Sequence, residues 1–123
     1  MLVIRDAQME AFSKLSESEF QSRAFKHLQQ VLPELCSAMG EPAVRQSIAQ
    51  AYRKARAYGL TYELDILRYL NLMYVLGFGF DTDSRYPWAS EILSDSALRS
   101  GTKARKLMTA ARTALAERKA SGG

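Results

Sequence analysis

Leu64-Asp65-Ile66-Leu67-Arg68-Tyr69-Leu70-Asn71-Leu72-Met73-Tyr74-Val75-Leu76 decides the fold class. Ten of these thirteen residues are apolar. A helix of that composition is buried on most sides and belongs at the centre of a bundle. Thr61 is placed to cap it. Glu63 and Asp65 fall in its first turn, where negative charge opposes the helix dipole, and Gly77 ends it. The expectation is a near fully buried central helix over about residues 62–76.

Outward from this segment, helical spacing recurs and strand-like alternation does not. On the N-terminal side, Pro42 suits the first turn of a helix. Val44, Ile48, Ala51, Tyr52 and Ala55 then form one face, and Gly59 closes it in a left-handed conformation. Pro33 separates a short helix, Glu34 to Met39, from an earlier one that starts at Ser16 or Ser18. That earlier helix carries Phe20, Ala24, Phe25, Leu28, Val31 and Leu32. Asp6 is placed to cap a first helix with Met9, Phe12 and Leu15. On the C-terminal side, Pro87 opens a short helix through Leu93, and Asp95 or Ser96 begins another piece carrying Leu98. After a break at Gly101 and a cap at Thr102, Ala104, Leu107, Met108, Ala111 and Leu115 define the last face. The chain thus reads as all-α: a single compact bundle of about six helices over residues 1–120, with a flexible tail at 121–123.

The 123 residues suit one domain, and their charge is segregated. Residues 96–123 hold seven Lys or Arg against Glu117 alone, whereas residues 1–95 hold ten basic and twelve acidic side chains. Such segregation can steer a charged partner, or simply form a solvated helix face. Met1 to Ile4 is too short an apolar run for a signal peptide, and no apolar stretch reaches the roughly 18 residues that span a bilayer.

No catalytic constellation accompanies these helices. Asp81-x-Asp83 suggests calcium, but a calcium loop starting at Asp81 needs an oxygen ligand, a Gly and a carboxylate where Arg85, Tyr86 and Ile92 stand. A turn built on Asp81 or Asp83 is the simpler reading. His27 and Cys36 are the only residues of their kinds. They make neither a zinc site nor a nucleophile pair, so His27 reads as a half-buried packing residue and Cys36 as a small hydrophobe. Gly77-x-Gly79 follows a helix and lacks a phosphate loop's lysine. No enzyme, cofactor or metal is expected.

The connection from Gly77 to Trp88 is the candidate site. Its Phe78, Phe80, Tyr86 and Trp88 either fold back as a lid on the bundle or anchor a partner. In the second case Asp81, Asp83 and Arg85 form the polar rim, and Trp88→Ala or Asp81→Lys weakens binding while the fold stays helical.

A set of short motifs runs along most of the chain: Ile4-Arg5-x-x-Gln8-x-x-Ala11, Phe20-x-x-Arg23, His27-Leu28 and Ala57-Tyr58-Gly59-Leu60. The set continues through Glu63-x-Asp65, Tyr69-x-x-Leu72-Met73 and Gly77-x-x-Phe80-Asp81-x-Asp83. Pro87-Trp88-Ala89 and Ile92-Leu93-x-Asp95 complete it. In these motifs the chain resembles a family of small all-helical accessory proteins encoded in type VI secretion effector gene clusters, beside spike (VgrG or PAAR) proteins, toxic effectors and loading adaptors. The resemblance implies a cytoplasmic, non-catalytic adaptor or co-chaperone whose partner is a secretion effector, a loading adaptor or a spike protein. Two alternatives stay open. One is an immunity protein that blocks a cognate toxin; the other is nucleic-acid binding through the basic C-terminal helix.

Overall fold

A computed structural model describes the backbone of residues 16–122 and the side chains of residues 16–119. The helix expected from Asp6 to Leu15 lies outside the described residues, as do Ile4, Arg5, Gln8, Ala11 and Gly123. Among the described residues there are six α-helices and no strand: α1 (Glu17–Val31), α2 (Pro33–Met39), α3 (Glu41–Ala57), α4 (Glu63–Leu76), α5 (Pro87–Ser94) and α6 (Ser100–Gly122). A 3₁₀ turn, Phe80–Thr82, interrupts the connection between α4 and α5.

The local rules account for most boundaries. Ser16 caps α1 reciprocally with Glu19: Ser16 Oγ accepts the Glu19 N–H at 3.2 Å, and Glu19 Oε1 accepts the Ser16 N–H. Pro33 opens α2 and Pro42 sits in the first turn of α3, positions whose missing N–H costs no helical bond. Gly59 lies at φ +91° and Gly77 at φ +119°, backbone that other residues rarely adopt.

Three starts differ from expectation. Thr61 does not cap α4: Tyr62 takes the cap position without a side-chain bond, and the Thr61 backbone N–H donates to Ser100 Oγ at 3.1 Å. Asp95 to Leu98 form a turn, not a helix, since Asp95 Oδ1 accepts the Ala97 N–H and competes with helix formation. Gly101 and Thr102 therefore lie inside α6, which begins at Ser100.

The helices pack mainly side by side. Glu17 near the start of α1 pairs with Arg53 towards the end of α3, and Phe20 stacks on Tyr52, so α1 and α3 run antiparallel. Ser47 of α3 meets Tyr74 of α4 at 2.6 Å. Ser100 Oγ donates to Asp65 Oδ2 at 2.6 Å, so α4 and α6 set off together. The core holds Phe20, Leu28, Ile48, Tyr69, Met73 and Leu107, from four helices. Val31, expected on the α1 core face, is 52% exposed because Leu32 leaves helical geometry and turns the chain into α2.

α4 contributes the largest share of this core, with seven of its fourteen residues buried. Its outer stripe is different: Leu64 is 57% and Val75 50% exposed. The helix is central but not wrapped, since its neighbours leave one side to solvent.

Lys103 ties two helix ends together. It is buried, and its Nζ donates to Tyr58 O at 2.5 Å and to Leu93 O at 2.9 Å. Tyr58 is the C-cap of α3 and Leu93 lies in the last turn of α5. Both ends present free carbonyls and partial negative charge, which a cation satisfies. Lys103→Met is expected to cost about 2 kcal/mol by leaving these carbonyls without donors. Lys106→Met, at an exposed position of the same helix, should stay within about 0.5 kcal/mol of the parent. Urea unfolding followed by circular dichroism measures both.

Candidate functional site

The connection after α4 folds inward. Gly77 turns the chain, and Phe80 N–H to Gly77 O (3.1 Å) and Thr82 N–H to Gly79 O (3.2 Å) tighten it into the 3₁₀ turn. Phe80 is fully buried, its ring centroid 5.1 Å from that of Tyr69. Asp81 is 1% exposed. Its Oδ1 accepts Lys54 Nζ at 3.1 Å and its Oδ2 accepts Tyr58 O–H at 2.7 Å. Both donors come from the C-terminal end of α3.

Burial, reinforced by the Asp81 carboxylate, pushes the Tyr58 hydroxyl up to about 12. It therefore remains a donor throughout the neutral range. Tyr69 is raised further, again chiefly by burial and then by the charge of Asp81. Its hydroxyl is buried without a hydrogen-bond partner, as is Nε2 of His27.

Past the 3₁₀ turn the chain reaches solvent briefly. Asp83 Oδ1 accepts the Arg85 N–H at 2.9 Å, closing an Asx turn, and its Oδ2 pairs with Arg85 Nη2 at 2.7 Å. These bonds from the Arg85 side chain and backbone hold the Asp83 carboxyl below the usual carboxylate range. Tyr86 turns back into the core, stacks on Trp88 at 5.7 Å and accepts a hydrogen bond from Arg118 through its hydroxyl. Trp88 is half-buried, and Phe78, 39% exposed, rests on Tyr74.

The seven candidate residues therefore separate. Phe80, Asp81 and Tyr86 are internal and offer nothing to a partner in this conformation. Asp81 in particular is no rim residue, because two donors of α3 draw it inside. Trp88 is shared between core and surface. Phe78 is exposed, and so is Arg85, which is tied to the partly covered Asp83. The lid reading of the aromatic cluster describes most of it. Tyr58, Tyr69, Phe80 and Asp81 meet in this one internal cluster.

Residues that the loop-centred reading missed lie on the outer side of α4. Leu64, Arg68, Asn71 and Val75 follow one another at steps of four, three and four, so they share a face. None of the four is buried. The signal was present in the sequence: ten apolar residues in thirteen exceed what one buried face accommodates.

Elsewhere the surface has clefts with little chemistry. One of about 370 Å³ is lined by Phe25, Pro33, Cys36 and Glu41, but Glu41 is ion-paired to Arg45 at 2.8 Å and no His or Lys shares the lining with Cys36. Another, of about 520 Å³, lies beside Lys103, whose amine is already engaged by two carbonyls. Among the described residues, no three His, Cys, Asp or Glu side chains gather as a metal site would require, and no helix is long and apolar enough to cross a membrane. No family model, curated protein or solved structure matches the chain.

The internal cluster has a testable signature. Tyr58→Phe is expected to cost about 1–2 kcal/mol at neutral pH, since Asp81 Oδ2 loses its donor while shape is kept. Asp81→Lys, which places a second cation against Lys54 inside the fold, should abolish cooperative unfolding. In the parent, Tyr58 binds its proton more tightly folded than unfolded. Its contribution is whole below about pH 10 and is lost as pH rises through about 12. Urea midpoints measured from pH 8 to 12 should fall less steeply for Tyr58→Phe than for the parent.

Proposed function

We propose that this protein is a non-catalytic, protein-binding accessory factor. Its role is that of an adaptor or co-chaperone for a type VI secretion effector or the adaptor that loads it. The secretion context rests on the family resemblance. The binding role is carried by one observation: the most apolar helix keeps Leu64 and Val75 about half exposed on a single face, with Phe78 exposed just beyond its end. Large aliphatic side chains on one stripe of a rigid helix suit docking against a partner's apolar surface. The stripe lies on an element anchored by the core, so binding need not order it first.

This reading moves the contact surface from the Gly77–Trp88 connection to the outer side of α4, retaining Phe78 just past the end of that helix. Adaptor work asks for a stable scaffold with an adhesive face, and no proton transfer or nucleophile is needed for it.

Co-expression of the tagged chain with each protein encoded beside it tests the role. Stable co-purification with an effector, loading adaptor or spike protein is the expected result. Leu64→Ser together with Val75→Ser should weaken that complex about tenfold or more, since two apolar contacts are lost, with thermal stability of the free chain preserved. Phe80→Ala should instead lower the stability of the free chain by about 3–5 kcal/mol. Binding confined to a toxin domain, with its toxicity neutralised, would mark an immunity protein. Binding to none of them removes the adaptor role.

A further inference from the structure

The outer stripe of α4 borders a cleft of about 260 Å³ on the seam between α4 and α6, lined by Arg68, Arg105, Met108, Thr109 and Arg112. Arg105 and Arg112 are seven residues apart and share one flank of α6. Three arginines thus line one small depression, with Met108 as an apolar neighbour.

Their charge is largely uncompensated. Arg23, Arg45, Arg53 and Arg85 each pair with a carboxylate at 3.2 Å or less. Among the described residues no ion pair is made by Arg105 or Arg112, and Arg105 reaches only Thr102 Oγ1 at 3.5 Å. Arg68 has a long 3.5 Å contact with Asp65, whose other oxygen is already bound by Ser100. Like charges gathered at one seam repel, and an anion placed among them relieves that repulsion.

We infer that this seam binds an acidic amphipathic helix of a protein partner. Carboxylates of that helix lie against Arg105 and Arg112, and its apolar face lies against Leu64 and Val75. The inference rests on the protein-binding role above and specifies the partner's chemistry. Arg105 and Arg112 present planar forks that match carboxylates in bidentate fashion. Leu64 and Val75 are eleven residues apart, about 16 Å along the axis, so a partner helix of about three turns spans both. The mixed chemistry favours protein over nucleic acid. No aromatic ring lines the cleft for a base to stack on, and two exposed aliphatic side chains beside the cations give a phosphate backbone nothing to contact.

Fluorescence anisotropy on the full chain tests this with three labelled probes. The first is a synthetic four-turn helix with a leucine stripe flanked by glutamates, the second its glutamine counterpart, and the third a single-stranded oligonucleotide of equal charge. The acidic helix is expected to bind about tenfold more tightly than the glutamine helix at low salt. Arg105→Gln with Arg112→Gln should remove that preference, while Leu64→Ser weakens both peptides. Circular dichroism should show unchanged helicity for each variant. Equal affinity for the two peptides, or indifference to the arginine substitutions, overturns the proposal. So does an oligonucleotide that binds more tightly through the same arginines. If a co-purifying partner is weakened by Leu64→Ser but not by the arginine pair, the adaptor role survives and this seam is eliminated from it.

Discussion

The buried carboxylate of Asp81 is the constraint around which the second half of the chain is arranged. An ionised carboxylate left unpaired in a protein interior costs several kcal/mol, more than a single apolar contact returns. Lys54 and Tyr58 remove that cost by donating to its two oxygens. Both lie one turn apart at the end of α3, so the chain leaving α4 must cross to α3 before it continues. That crossing seats Phe80 on Tyr69 and fixes where Pro87 starts α5. Because α5 packs on α6, the last helix inherits its position from the same pair of donors.

Two further buried polar groups act in the same manner. Lys103 joins the carbonyl ends of α3 and α5, and Asp65 with Ser100 joins the beginnings of α4 and α6. Apolar helix faces tolerate sliding and rotation, because many packings bury similar area. A buried ion whose partners occupy single positions does not. Six helices with interchangeable aliphatic faces are thereby held in one arrangement, by ties that span from ten to forty-five residues of sequence.

The helices themselves were legible from residue spacing. Pro33, Pro42 and Pro87 at helix starts, Gly59 and Gly77 at helix ends, and the faces Val44-Ile48-Ala51-Ala55 and Ala104-Leu107-Ala111 depend on neighbours within two turns. The ties were not legible. Thr61 looks like a cap, yet Tyr62 takes that position and the Thr61 N–H is bound by Ser100, thirty-nine residues on. Asp81 and Asp83 look equivalent two positions apart, yet one faces Lys54 and Tyr58 inside the fold and the other closes a surface turn with Arg85. Lys103 reads as one cation of a basic tail until the ends of α3 and α5 are brought beside it. For Thr61, Asp81 and Lys103 the deciding partners include residues distant in the chain, and local pattern carries no information about them.

The same reasoning explains why exposed aliphatic side chains lie on the helix that reads as most buried. A helix in contact with α3 on one side and α6 on the other buries about half its circumference, and seven inward residues of α4 fill that share. Ten apolar residues in the thirteen from Leu64 to Leu76 exceed it, so Leu64 and Val75 are left outside. Nothing in the fold requires them there: polar residues at both positions would leave the core intact and raise solubility. Exposed aliphatic side chains that the core does not need lower the solubility of a free monomer, whereas the neighbouring Arg105 and Arg112, which make no ion pair among the described residues, keep it in water. The proposed acidic amphipathic helix would use both features at once, covering the aliphatic pair and supplying carboxylates to the arginines.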